Sequence, residues 1–332
     1  MVPVYDVAQA CGLSIASVSR ALNDQPGVSP ATAERVVRVA AELGYQRNEV
    51  ARSLVAKSTQ TIALLVPDIT NPFFPELVKG VQSVADERDL LLLLLDAPRD
   101  PLALSVRLAA LRRKQVDGIL LVASELDDDM GGLFADTPAV LLDRGRSGRH
   151  ATVGVDQEEA GYTATRHLIE AGHRRIGHIS GPDGLTVSQL RRAGWERALR
   201  EAGLPSDDAL VATGDFEEEG GHRAGAALLD RGIDLTAVFA ANDLSAIGLL
   251  ACCAARGIRV PADLSVVGLD GIGLARYTTP ALTTVAQPIR ELGAGACRLL
   301  LEEIDEVRRG ADLVLPTTLV EGASVQRRGV TR

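Results

Sequence analysis

A chain of 332 residues with 46% hydrophobic and 24% charged side chains has room for two or three domains, and its composition excludes wholesale disorder. The formal charge of -9 argues against a polycation that coats nucleic acid, but residues 1–60 carry six basic and five acidic side chains while the rest carry 29 and 39. Four scattered cysteines form no C-x-x-C unit, and the start MVPVYDVAQ has no basic region followed by an apolar run, which excludes a disulfide scaffold and predicts a cytoplasmic protein without a leader or membrane span.

The first sixty residues read as short helices. Val4, Val7, Ala8 and Cys11 recur at helical spacing, and Gly12 then breaks the pattern. Ser14 caps a second helix over Ile15–Leu22. After the turn NDQPG, Ser29 and Pro30 form a cap and first-turn pair for a third helix, which runs to about Leu43 and ends at Gly44. The predicted core is Val7, Ala8, Val18, Leu22, Val36, Val39, Ala40 and Leu43. Two short helices joined by a glycine-containing turn and closed by a third make a helix-turn-helix module. Its second helix is the one that enters a DNA major groove. Here that helix offers Ser14, Ile15, Ala16 and Ser17 in its first turn, then Ser19 and Arg20. Ile15 and Ala16 suit a thymine methyl, and Arg20 suits guanine through two parallel hydrogen bonds.

Asn48–Ala56 form a link whose segment VARSLVAK would be marginal as a free helix. From residue 61 apolar strands alternate with amphipathic stretches. The predicted strands are Thr61–Val66, Leu90–Leu95, Asp117–Val122, Ala139–Leu142, Arg175–Ile179, Ala237–Ala240 and Leu264–Leu269. Between them lie helical stretches at Phe74–Arg88, Pro101–Lys114, Glu158–Ala171, Ser188–Glu201, Glu217–Arg231 and Asp243–Arg256. This alternation predicts parallel sheets with helices on both faces. There are more strands than one doubly wound domain needs, so two subdomains with a cleft between them are expected.

No reaction centre stands out in this body. DGIGLA at 270–275 lacks a glycine of the dinucleotide fingerprint, and no G-x-S-x-G turn occurs. The five histidines include no H-x-x-x-H pair, and the acidic run at 125–130 lacks calcium-loop spacing, so neither an enzyme nor a metal protein is expected, and no cofactor. What remains is binding. Polar residues follow several strand ends, where clefts of parallel sheets open: Asp68, Asn71 with Phe73 and Phe74, Asp143-Arg144, Asn242-Asp243 and Asp270.

The segment VYDVAQACGLSIASVSRALNDQPGVSPATAERVVRVAAELGYQRNEVARSL resembles the N-terminus of the LacI/GalR family of bacterial transcriptional repressors. VPDITNPFFPELVKGVQ, LLDR, VGVD, GHRRIGHISGP, RRAGWERAL, AANDLSAIGLL, IRVPADLSVVGLDGIG, PALTTVAQP and LPTTLVEGAS continue the likeness in order, over about residues 4–325. The resemblance implies a small all-α head at 1–46, a hinge helix and linker at 47–60, and an α/β body like a periplasmic binding protein at 61–332. In that body one subdomain spans about 61–157 and 289–315, and the other about 158–288 and 316–332.

By resemblance, Ile15, Ala16 and Arg20 read bases, while Tyr5, Ser14, Ser17, Ser19, Asn23, Ser29, Thr32 and Asn48 support them or hold phosphates. Leu54 matches a leucine that wedges into the minor groove, although it could instead be a core residue against the body. Arg47 stands where the family usually has proline. Phe73, Asp143, Arg191, Phe216, Asn242 and Asp270 match effector-pocket positions, with Trp195 and Gln287 nearby. Trp195 could equally be core, and Phe74 is expected to be the core member of its pair. Leu185 and Val187 are apolar where the purine-responsive branch is polar, which favours a mono- or disaccharide. Glu321-Gly322 and Gly271 also depart from the family pattern. The expected protein is a homodimeric, cytoplasmic repressor of near-palindromic double-stranded operator DNA, controlled by a small effector. The alternative is a sugar-binding protein with no regulatory role.

Overall fold

A computed structural model describes residues 2–22, 25–45, 58–97, 100–122, 134, 136–142, 150–307 and 310–328. The expectations placed on Asn23, Arg47, Asn48, Leu54, Asp143 and the acidic run at 125–130 lie outside the described residues. The chain divides into two compact units, Met1–Thr59 and Gln60–Arg332.

Among the described residues the first unit holds three helices: α1 (Val4–Cys11), α2 (Ile15–Leu22) and α3 (Pro30–Glu42). Gly12 ends α1 at φ +62°, a left-handed turn that glycine adopts without steric cost, and Leu13 then donates back to the Ala8 carbonyl at 3.0 Å. Val7, Ala8, Cys11, Val18, Ala21, Leu22, Val36 and Ala40 form the core. Leu43, expected inside, is 39% exposed, and Val39 is only half-buried. Leu43 caps the end of α3 and so faces outward as the helix stops. Arg35 closes the bundle by donating to the Cys11 carbonyl.

The second unit contains two six-stranded sheets. One has the order β11-β5-β4-β3-β1-β2, built from β1 (Thr61–Val66), β2 (Leu91–Asp96), β3 (Gly118–Val122), β4 (Ala139–Leu142), β5 (Ala151–Val155) and β11 (Asp312–Leu315), and is parallel throughout. The other has the order β12-β10-β9-β8-β6-β7, built from β6 (Ile176–Ser180), β7 (Val211–Thr213), β8 (Ala237–Ala240), β9 (Ser265–Asp270), β10 (Thr283–Ala286) and β12 (Thr318–Val320), and only β12 runs antiparallel. All seven expected strands form, with ends shifted by a residue at most. The strands missed were β5, β7, β10, β11 and β12. They are short, and β5 (ATVGV) and β10 (TTVA) mix threonine with small residues, which leaves no long apolar run to read.

The α-helices among the described residues of this unit are α4 (Phe73–Glu87), α5 (Pro101–Arg113), α6 (Gln157–Glu170), α7 (Thr186–Glu201), α8 (Glu218–Leu229), α9 (Asp243–Ala255) and α10 (Ile289–Ile304). The chain passes between the sheets three times, after β5, after β10 and after β11. Gln157 lies at the first passage and Gln287 at the second. Three helix pairs cross through facing glycines. A Cβ on Gly80 of α4 would lie 2.1 Å from the Arg290 carbonyl oxygen of α10, and one on Gly293 would lie 2.2 Å from that of Leu77. Gly161 with Gly194 joins α6 to α7 in the same reciprocal way, and Gly221 with Gly248 joins α8 to α9. Backbones this close draw the helices tightly over their sheets and bury apolar surface at about 25 cal/mol per Å².

Candidate functional site

The exposed face of the first unit is set by α2. Ser14 Oγ accepts from Ser17 N at 3.1 Å and satisfies an amide at the helix start. Ser14, Ile15 and Ala16 are all exposed, and Ile15 leaves 49% of its surface in solvent despite being apolar. Ser19 and Arg20 are exposed one turn on, and Ser17 is half-buried. Val18, Ala21 and Leu22 take the opposite face into the core. The Arg20 side chain passes over Gly27, where a Cβ would lie 3.6 Å from Nη1, while its carbonyl accepts from Gln25 N at 3.0 Å. Ser29 Oγ caps α3 by accepting from Thr32 N at 3.3 Å, so Ser29 and Thr32 sit together at a helix start, a favourable place for an anion. Tyr5 is the second residue of α1 and is 61% exposed. The residues predicted to read or hold DNA, where described, thus include one surface of apolar, hydroxyl and guanidinium groups on α2.

The second site forms where β8 and β9 end. Arg191 is buried on α7, and its planar fork is held three ways. Nε donates to Gln157 Oε1 at 2.8 Å, Nη1 to the Ala241 carbonyl at 2.6 Å, and Nη2 lies 3.3 Å from Asp270 Oδ1. The Phe216 ring sits 5.7 Å from the guanidinium carbon, a cation–π distance. That ring lies where a Cβ on Gly181 would go, so Gly181 makes room for it. Asn242 caps α9 by accepting from Ser245 N at 2.9 Å and donates through Nδ2 to the Phe216 carbonyl at 2.9 Å. Gln287 Nε2 donates to Asp270 Oδ1 at 2.8 Å, while buried Gln287 Oε1 and Ser188 Oγ have no hydrogen-bond partner among the described residues. Buried polar atoms of this kind are open to a ligand's hydroxyls.

Arg191, Phe216, Asn242, Asp270 and Gln287 are therefore brought together. Gln157 and Asp243 belong beside them and were missed as site residues. Asp243 was noted after a strand end but given no role, and nothing near Gln157 in the sequence marks it. Asp243 is fully buried. Burial first, and the Asp270 carboxylate second, push it up to about 8. Leu185 and Val187 are buried at the start of α7.

Two expectations need correction. Trp195 does not line the site: it is buried in the second sheet's core, stacked at 5.6 Å on His178, which stacks in turn at 4.9 Å on Phe239. It lies one turn beyond Arg191, far enough along α7 to cover the sheet rather than the strand ends. Phe73, not Phe74, is the more buried of the pair, and it packs with Leu244 and Ile272 from the other subdomain. Phe74 is half-buried and meets Phe73 edge-on at 5.3 Å.

A helix-turn-helix unit followed by a two-sheet α/β body with a buried polar site defines a sequence-specific, DNA-binding transcription regulator rather than an enzyme. Residues 4–48 match the model of "Bacterial regulatory proteins, lacI family", and residues 165–325 match the periplasmic binding protein-like domain. The chain is 37% identical over 332 residues to the HTH-type transcriptional regulator DegA of Bacillus subtilis (strain 168), covering 96% of each. It is 35% identical to the chain of a transcriptional regulator CelR–cellobiose complex, covering 98% of this chain and 100% of that one with a TM-score of 0.74. The lac repressor dimer bound to operator and the anti-inducer ONPF aligns at 28% identity and a TM-score of 0.91, with 98% and 99% covered. The chain belongs to the lacI family of bacterial regulatory proteins. A sugar-binding protein with no regulatory role is thereby set aside.

Proposed function

We propose that the protein is a homodimeric repressor acting in the cytoplasm, whose affinity for a near-palindromic operator is set by an uncharged mono- or disaccharide bound at the Arg191–Asp270 site. The observation that carries the effector reading is that constellation itself. A buried guanidinium, a carboxylate, three carboxamides and an aromatic face, with Gln287 Oε1 and Ser188 Oγ unpartnered among the described residues, offer both donors and acceptors to a polyol. The cellobiose bound by the similar regulator supports it. In the first unit, Ile15, Ala16 and Arg20 would read base edges, with Tyr5, Ser14, Ser17, Ser19, Asn23, Ser29, Thr32 and Asn48 supporting them. Leu54 would wedge into the minor groove. Asp143 and Phe73 would complete the pocket's wall.

The dimer reading rests on exposed apolar side chains gathered at one edge of the first sheet, Leu91 and Leu94 on β2 with Leu102 and Val106 on α5. A contiguous apolar edge of this kind suits a self-complementary, two-fold contact. With the head ending near residue 46, a domain limit near residue 60 fits the division of the chain after Thr59, and subdomains changing over near 157, 288 and 315 fit the three passages between the sheets.

An effector acts by favouring one of two arrangements of the subdomains, and it shifts operator affinity only by its difference in affinity for them. The test is a titration of fluorescent operator at one fixed salt concentration, repeated with a panel of sugars that includes cellobiose. At least one sugar should change operator affinity and raise the melting temperature of the free protein. A panel that changes neither would overturn the sugar reading while leaving DNA binding intact.

A further inference from the structure

We infer that Asp243 is a positioning residue that aims Asp270 at the ligand by clamping the backbone turn that follows it; the inference deepens the effector reading above and rests on it for its biological meaning. Asp243 is the first residue of α9 and is fully buried between that helix and the ends of β9 and β10. Its partners are all neutral. Oδ2 accepts from Gly271 N at 2.8 Å and Ile272 N at 2.9 Å, and Oδ1 accepts from Thr284 Oγ1 at 2.6 Å.

The clamped turn is an uncommon one. Asp270 has φ +124° and Gly271 has φ +75°, and a Cβ on Gly271 would lie 2.4 Å from that of Ala286. A non-glycine residue persists in such a conformation only when its surroundings over-determine it. Two amides held by one carboxylate oxygen supply that constraint. Asp270 can then reach both Arg191 Nη2 and Gln287 Nε2. The clamp reaches further, because Ile272 packs with Leu244 and Phe73 in the first sheet's apolar cluster. One side chain therefore fixes a ligand-facing carboxylate and a contact between the subdomains.

A simpler role is available to an acid at this position, since a carboxylate in the first turn of a helix is favourable whatever lies nearby. The two roles separate by experiment. Asparagine can keep its carbonyl oxygen on the two amides and turn its NH₂ toward Thr284, whose hydroxyl rotates to accept. It cannot ionise at any pH, and it keeps the clamp.

The Gln287 side-chain amide reports on Asp270 without any ligand, through nitrogen-15 spectra of the deuterated full-length chain. In Asp243→Ala that resonance should move and its exchange with water quicken, whereas Asp243→Asn and Thr284→Val should hold it near wild type. Should Asp243→Ala fail to fold, Asp243→Ser replaces it, because its hydroxyl oxygen sits one bond short of the position from which Oδ2 accepts both amides. An unmoved Gln287 resonance in folded Asp243→Ala or Asp243→Ser would overturn the inference. So would an Asn variant as altered as these, which would leave charge at the helix start as the role.

With cellobiose as the probe, binding by calorimetry should weaken ten- to a hundredfold in Asp243→Ala and within about threefold in Asp243→Asn. Absence of cellobiose binding by wild type bears on the sugar reading alone, and the Gln287 signal still decides the clamp.

Discussion

Thirty-two of the 35 basic side chains are arginine, and Arg20 and Arg191 show two opposed uses of that residue. Arg20 is exposed on α2, and in the proposed base-reading role its guanine pair would contribute about 1–3 kcal/mol of discrimination, which a second copy would about double. Arg20→Ala should weaken binding to the cognate operator and change random-sequence binding much less, measured by anisotropy at a single salt concentration. Equal losses would make it a phosphate contact. Arg191 has the reverse setting, with its fork shared among Gln157, the Ala241 carbonyl and Asp270. Arg191→Ala leaves a buried carboxylate without its cation, at a cost of about 3–5 kcal/mol. Urea unfolding followed by the fluorescence of Trp195, the only tryptophan, should show that loss, and any response of operator binding to sugar should vanish. A stability unchanged within about 1 kcal/mol would show that the pair is not coupled to the fold. Both arginines were legible in the sequence because each has a motif around it. Trp195 was not, since Arg191 and Trp195 share one helix face and spacing cannot say which end of a sheet each turn covers.

Among elements, the helix pairs carry a lesson that propensity alone would reverse. Gly161, Gly194, Gly221 and Gly248 sit within helices, where glycine costs about 1 kcal/mol against alanine. In this fold each of them faces a partner's carbonyl, so a methyl group cannot be accommodated unless the helices part. Gly194→Ala would put its Cβ 2.1 Å from the Glu158 carbonyl oxygen and 2.5 Å from Tyr162 N. It should lower stability by at least about 1–3 kcal/mol despite the better helix former, as overpacking does. It should also weaken effector binding, because the Gln157–Arg191 bond spans the same α6–α7 pair. A raised melting temperature would show that the crossing has slack. Long helices and apolar strands were readable from period and composition. Helix–helix distance was not, because a mid-helix glycine reads as a weakness until its neighbour is known. The α10 helix went unread as well, although it packs across the first sheet's core.

For the whole molecule, acid is the condition to which the body should respond most. Burial holds His178 at about 3 and His173 at about 4, each well below the usual 6.5. His178 Nδ1 donates to the Phe239 carbonyl at 3.0 Å, and His173 pairs with Thr236 Oγ1 and the Gln326 carbonyl. Their stabilisation is complete well above pH 6.5 and is lost as pH falls toward 4 for His173 and toward 3 for His178, because the unfolded chain takes up protons that the folded one refuses. The slope is up to about 1.4 kcal/mol per pH unit for each histidine. Asp243 acts in the opposite sense: its raised pKa makes its contribution fall as pH rises from about 3.8 to about 8. Asp243 is common to wild type and His178→Phe, so their difference isolates the histidine. The melting temperature of wild type should drop further between pH 7 and 4.5 than that of the variant, whatever their values at pH 7. Parallel curves would place His178 outside the acid response. The two-unit organisation was legible because charge, helix period and strand period all change near residue 60, whereas the side chains at the passages between the sheets carry no such signal. Gln157 and Gln287 sit at two of those passages, and both spend their amides on the Arg191–Asp270 pair. If displacing these amides is what couples the site to the passages, occupancy and signalling become separable properties of a ligand: an analogue that fills the space but leaves both glutamines on their present partners would compete with the effector and transmit nothing, a silent antagonist defined by which amide it fails to displace.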